Sequence, residues 1–229
     1  MAVALNLRAR TPTIVGLIVA LGWPLLFLVL PNQRHQNVTD MRQDEQIIAF
    51  EWIVTILVAL IIIFWERLPL AHSVGLRRPV WRDALIALVA LIVLAVTIAI
   101  VAFALHTRSA FSNVDPTKLR ALPFALRFGI VFTAGFCEEF LFRGYAIERL
   151  TALTGKLWIG GVGAIVLFTV GHIARYGIGV ELLGVAIIAT FLTLIYIRRR
   201  SLWPCIVMHW VVDGLPLVVA PHFIRTHVV

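Results

Sequence analysis

The sequence predicts an all-α fold: a polytopic transmembrane helical bundle of about seven spans, or eight helices. Three observations lead there. Of the 229 residues, 61% are hydrophobic and only 14% charged, against about 25% charged in an ordinary soluble domain. Mean hydropathy is +0.96. Several apolar runs reach the roughly 20 residues a helix needs to cross a hydrocarbon core, and they are continuous, unlike the alternating segments of a membrane β-barrel. Helices also satisfy their own backbone hydrogen bonds in lipid.

The first span, 12–30, follows Arg8 and Arg10. It is too long for a secretory h-region, and "LFLVLPNQR" offers no small-residue cleavage site, so it is expected to be an anchor. The stretch "PNQRHQNVTDMRQDEQ" balances Arg34 and Arg42 against Asp40, Asp44 and Glu45, and leads to the second span, 47–65. "VGLRRPVWRD" precedes the third, 84–105, and the loop 106–121 sets Arg108, Lys118 and Arg120 against Asp115. The fourth span covers 122–142, and the helical interval of "RGYAIERL" permits its extension to about Leu150. In the fifth, 157–174, Gly160, Gly161 and Gly163 allow close helix approach. The sixth and seventh cover 178–197 and 202–220. Residues 1–229 read as a single integral-membrane domain, with its motif-bearing part at 122–220.

The net charge of +8 is spread over short loops rather than gathered on one polar module, so no nucleic-acid partner is expected. Arg8, Arg10, Arg67, Arg77, Arg78, Arg82, Arg149, Lys156, Arg198, Arg199 and Arg200 fall on one side of a seven-span chain. The positive-inside rule makes that side cytoplasmic, with the N-terminus inside and the C-terminus outside; the loop 106–121 runs against the bias. Cys137 and Cys205 lie in spans without CxxC spacing, and are expected to be buried thiols rather than a disulfide or a nucleophile.

Ionisable groups within spans cost at least about 2.5–3.5 kcal/mol each, so those present usually face a cavity or one another. Here they concentrate in three spans: Arg127, Glu138, Glu139 and Arg143 in the fourth and its extension, His172 at the end of the fifth, and His209 and Asp213 in the last. The other spans read as nearly free of charge. Glu139 and Arg143 are four apart and can neutralise each other on one helix face, which leaves Glu138 as the unpaired acid. Phe168 and His172 share the same interval, and so do His209 and Asp213, where the Asp can orient the imidazole. Each group alone also fits an ordinary internal ion pair or a hydrogen-bonded histidine. Together they are the residue types of acid–base chemistry or metal binding.

The order "EEFLFR" (138–143), "FTVGH" (168–172) and "HWVVD" (209–213) resembles the EExxxR, FxxxH and HxxxN/D motifs of the CAAX-prenyl-protease and bacteriocin-processing (CPBP, Abi) family. "VGLRRPVWRD" is a weaker likeness. The resemblance covers about the second half of the chain and implies an intramembrane endopeptidase. Carried over, Glu138 is the catalytic acid that activates water with His172 assisting, Glu139 and Arg143 complete the first motif, and His209 and Asp213 stabilise the oxyanion or hold a metal.

Peptide hydrolysis needs an activated water and stabilisation of the developing oxyanion, and an apolar setting makes a carboxylate a stronger base. Two versions follow. Either His172, His209 and Glu138 bind zinc, which acidifies its water, or Glu138 and His172 activate the water without metal while His209 donates to the oxyanion. Asp213 in place of Asn favours orientation of His209 or a metal, because an ionised Asp repels an oxyanion; no HExxH is present. Neither a GxSxG elbow nor a GxGD-type pair supports other peptidase chemistries.

One geometric tension stands: His172 lies about 22 Å along a helix begun at Leu157, whereas Glu138 is nearer the cytoplasmic end of its span unless that helix is extended. The competing readings are a proton-coupled transporter, disfavoured by the charge-poor first half, and a non-catalytic membrane scaffold or immunity protein. The expected partners are a peptide or protein substrate at the membrane and the lipid bilayer. The expected location is a prokaryotic plasma membrane, with an endoplasmic reticulum membrane as the alternative.

Overall fold

The computed structural model describes residues 10–29, 41–107 and 122–219, and every regular element among them is helical. Helix α1 (Arg10–Val29) contains Pro24. Helix α2 (Met41–Leu60) continues as a π-helical turn, Ile61–Trp65. The short α3 (Leu70–Ser73) precedes α4 (Trp81–Ala104). Next, α5 (Phe124–Thr133), a π-helical stretch Ala134–Ile147 and α6 (Glu148–Thr154) form one continuous helical rod. Then come α7 (Leu157–Gly171), α8 (Ile173–Tyr176), α9 (Val180–Arg199) and α10 (Trp203–Gly214), the last running on as π-helical Leu215–Val219.

Local chemistry explains the boundaries. Gly155, at φ 72°, ends α6 with its N–H on Thr151 O at 2.8 Å, the left-handed cap that glycine adopts without strain. Pro204 occupies the first turn of α10, where no intrahelical donor is lost. At the start of α4, the Asp83 carboxylate accepts the Val80 N–H at 3.2 Å, satisfying one of the otherwise orphaned donors.

Four helical stretches are long and apolar enough to cross a membrane: Asp44–Trp65, Trp81–Ala104, Leu157–Tyr176 and Val180–Arg199. Arg10–Leu26 and Trp203–Val219 are shorter apolar helices. On α4, Leu88, Ile92, Val96, Ile100 and Phe103 are all exposed. Such a continuous apolar face marks contact with lipid, and the chain is an integral membrane protein.

The rod from α5 to α6 is the centre of the molecule. Every residue from Cys137 to Ile147 is buried, enclosed by α1, α2, α7 and α10. Burial on all sides explains why this stretch has no polar face of its own and why its charges meet protein rather than lipid. α7 lies against the rod because Gly160 has no side chain: a Cβ there would stand 2.6 Å from Ile147 O. Gly161 and Gly163 bring the same helix close to Ile197 and Leu150.

At one end of the bundle, charged pairs fasten the helix termini. Glu66 pairs with Arg149 at 2.6 Å and accepts from the Tyr145 and Thr13 hydroxyls, each at 3.0 Å. Asp83 pairs with Arg199 at 3.0 Å. Glu148 pairs with Arg200 and accepts from the Tyr196 hydroxyl. This is the side the arginine distribution marks as cytoplasmic.

Two expectations change. The fourth span does not stop at 142: the rod reaches Thr154, which eases the depth mismatch between Glu138 and His172. The first half is not charge-poor, because Asp44 and Glu51 are buried on α2 and the Glu66 carboxylate is enclosed beside Arg149. The reason is that α2 packs on the central rod and turns its acids inward. Cys137 and Cys205 are buried free thiols, as expected. Of the loop charges considered above, Arg8, Arg34, Asp40, Arg108, Asp115, Lys118, Arg120 and the side chain of Arg42 lie outside the described residues.

Candidate active site

The π-helical stretch carries Glu138, Glu139 and Arg143 into the middle of the bundle. Widened helices of this kind are frequent at functional sites. Glu139 and Arg143 pair at 2.9 Å with both side chains wholly buried. Arg143 also reaches Ala189 O on α9 at 3.5 Å, and its guanidinium lies 4.3 Å from the centre of the Phe168 ring. A desolvated cation over an aromatic face adds about 2 kcal/mol.

Phe168 therefore joins the first two motifs. Its ring centre is 4.5 Å from that of His172, 5.1 Å from Phe142 and 6.4 Å from His209. His172, at the junction of α7 and α8, donates its Nδ1–H to Phe168 O at 2.8 Å. That bond fixes the ring's tautomer and leaves Nε2 as the nitrogen with a lone pair.

The third motif is held to the first. His209 Nδ1 lies 2.8 Å from Glu139 Oε1, the same oxygen that Arg143 contacts. His209 Nε2 is 3.4 Å from Asp213 Oδ2 and 3.7 Å from Glu138 Oε2. The sequence reading gave His209 only Asp213 as a partner; Glu139, seventy residues away, is nearer. Glu138 Oε2 is buried and makes no hydrogen bond among the described residues; its nearest ionisable neighbour is His209 Nε2.

Glu138 and His172 line one open cleft, with Trp23, Phe142 and Phe168 among its apolar walls. Two charged residues absent from the sequence reading line it as well: Glu51 from α2 and Arg175 from α8. Arg175 follows His172 by three residues, a proximity that offered a signal. Glu51 stands in an apolar span with no motif around it, and only its rarity in such a setting marked it. Arg127, one of the ionisable residues in the fourth span, is elsewhere: it donates to Leu217 O at 3.2 Å.

A zinc site finds no ready-made ligand set. Among the described residues, no three His, Cys, Asp or Glu side chains are grouped to hold a metal ion, and both nitrogens of His209 already face carboxylates.

No curated protein and no solved structure matches the chain. A family model does, over residues 119–215: that of the type II CAAX prenyl endopeptidase Rce1-like proteins. The match spans all three motifs and the rod, α7, α9 and α10 that bring them together, so the motif-bearing part of this chain is similar to the Rce1-like CAAX endopeptidases.

Proposed function

We propose that the protein is an intramembrane endopeptidase that hydrolyses a peptide bond in a membrane-associated protein or peptide. The observation that carries this reading is the shared cleft of Glu138 and His172, with His209 facing Glu138 at 3.7 Å.

The steps follow from the side chains. A water in the cleft gives one proton to Glu138, whose free Oε2 can accept it, while His172 Nε2 assists in orienting the water. The water oxygen attacks the peptide carbonyl carbon and an oxyanion forms. His209, held at Nδ1 by Glu139, presents Nε2 on the Glu138 side and stabilises that charge, with Asp213 fixing the ring from the next turn. The proton on Glu138 then passes to the amide nitrogen as the C–N bond breaks, releasing a carboxylic acid and an amine. Glu139 and Arg143 neutralise each other and hold the three motifs in place. A metal remains an alternative source of the activated water.

The cleft's apolar walls and its position within lipid-exposed helices favour a substrate entering from the bilayer or its surface. A bacterial or archaeal plasma membrane is the proposed location.

Fluorogenic peptides incubated with detergent-purified protein test this reading. The wild type is expected to cleave, and Glu138→Gln and His172→Ala are each expected to lose about 10²-fold or more in kcat/KM. Activity that survives chelation points to the glutamate mechanism, and activity lost to chelator and restored by zinc points to the metal one. Equal cleavage by Glu138→Gln and wild type would overturn the proposal.

A further inference from the structure

We propose that Glu51 is a positioning residue of this site: its carboxylate accepts a hydrogen bond from the hydrogen of the attacking water that Glu138 does not take. The inference rests on the endopeptidase reading and goes beyond it, because Glu51 belongs to none of the three motifs and lies outside the stretch that the family model matches.

Glu51 is only 6% exposed, yet it makes no hydrogen bond and no ion pair among the described residues. A largely buried carboxyl that makes no hydrogen bond is costly. Its side chain lines the cleft together with Glu138 and His172, so the partner it lacks is one that enters the cleft. Glu138 Oε2 likewise makes no hydrogen bond among the described residues, with His209 Nε2 3.7 Å away. A water has two hydrogens, and two acceptors face the space where it must sit.

The neighbouring residue sets the aim of Glu51. Trp52 stacks between Phe132 and Phe136, with ring centres 6.3 Å and 5.6 Å away, and donates its Nε1–H to Thr133 Oγ1 at 3.0 Å. These contacts lock the rotation of α2 against the rod. With Trp52 held there, Ile47 and Glu51, one turn apart on an adjacent face, are turned into the cleft.

In the reaction, the proton that leaves the water goes to Glu138 and later to the amide nitrogen. The second hydrogen stays on the oxygen and remains bonded to Glu51 through the tetrahedral intermediate. The oxygen lone pair is thereby directed at the carbonyl carbon, and misplacement of a reacting group by about 1 Å costs on the order of 10²-fold.

Steady-state kinetics and thermal unfolding of the full chain, as wild type, Glu51→Leu, Glu51→Gln and Glu138→Gln, test the assignment. Glu51→Leu is expected to lower kcat about 10²-fold with KM unchanged, and to unfold at the same or a higher temperature because an unpartnered buried acid is gone. Glu51→Gln, whose amide oxygen still accepts a hydrogen bond, is expected to recover most of the rate. Full activity in Glu51→Leu beside an inactive Glu138→Gln would overturn this inference alone. So would a Glu51→Gln as slow as Glu51→Leu, or a loss of rate that merely follows a lowered unfolding temperature. Undiminished activity in Glu138→Gln, or no cleavage by folded wild type, would overturn the endopeptidase reading, and the role of Glu51 with it.

Discussion

A single oxygen, Glu139 Oε1, meets both Arg143 at 2.9 Å and His209 at 2.8 Å, so one carboxylate ties the first motif to the third. Removing either side of such a buried pair leaves an uncompensated charge, which costs about 3–5 kcal/mol. Arg143→Leu is therefore expected to lower stability by that amount, read as a fall in thermal unfolding temperature, and to reduce activity through loss of fold. An unchanged unfolding temperature would contradict the bridging role. Phe168→Leu keeps an apolar side chain but removes the ring on which the Arg143 guanidinium lies, and is expected to cost about 2 kcal/mol. The local pairs at four-residue spacing, Glu139 with Arg143, Phe168 with His172 and His209 with Asp213, were legible in the sequence because a helix brings i and i+4 together. The bond from Glu139 to His209 was not, because nothing in local spacing reports which helices become neighbours.

At the scale of elements, the central feature is the contact of α7 with the rod. Gly160 stands where a Cβ would come within 2.6 Å of Ile147 O and 2.5 Å of Thr151 Oγ1. Gly160→Ala is expected to push α7 outward and cost about 1–3 kcal/mol. Because His172 rides on α7, it should also lower kcat with the catalytic side chains intact. Kinetics that match wild type in this variant would show that the approach of α7 is not what positions His172. The helices themselves were readable from apolar run length, and the extension beyond 142 from helical spacing. The inward-facing acids of α2 escaped because Glu51 is a lone charge in an apolar run, and its burial depends on α2 packing against a rod encoded more than seventy residues later.

For the whole molecule, the arginine-rich helix ends and the cleft lie at opposite ends. Thr13 and Arg149 bond to Glu66, and Arg199 to Asp83, at the end that is rich in arginine. The cleft is built from the far end of α1 at Trp23, the beginning of α2 at Ile47 and Glu51, and the end of α7 at Gly171 and His172. The positive-inside rule predicts that the arginine-rich end faces the cytoplasm, which would turn the cleft towards the opposite membrane face. Lys156→Cys is then expected to be protected from an impermeant maleimide added to intact cells, and Ile178→Cys, at a position that is exposed, to be labelled. The reverse pattern would invert the orientation and place the substrate on the cytoplasmic side.

The most direct test of the central claim is mass spectrometry of a membrane-reconstituted reaction with wild type beside Glu138→Gln, each verified to be folded. The account predicts two product peptides whose masses sum to substrate plus one water in the wild-type reaction, and a yield at least about 10²-fold lower in the variant. Equal yields from the two proteins, or an uncut substrate with folded wild type, would contradict it.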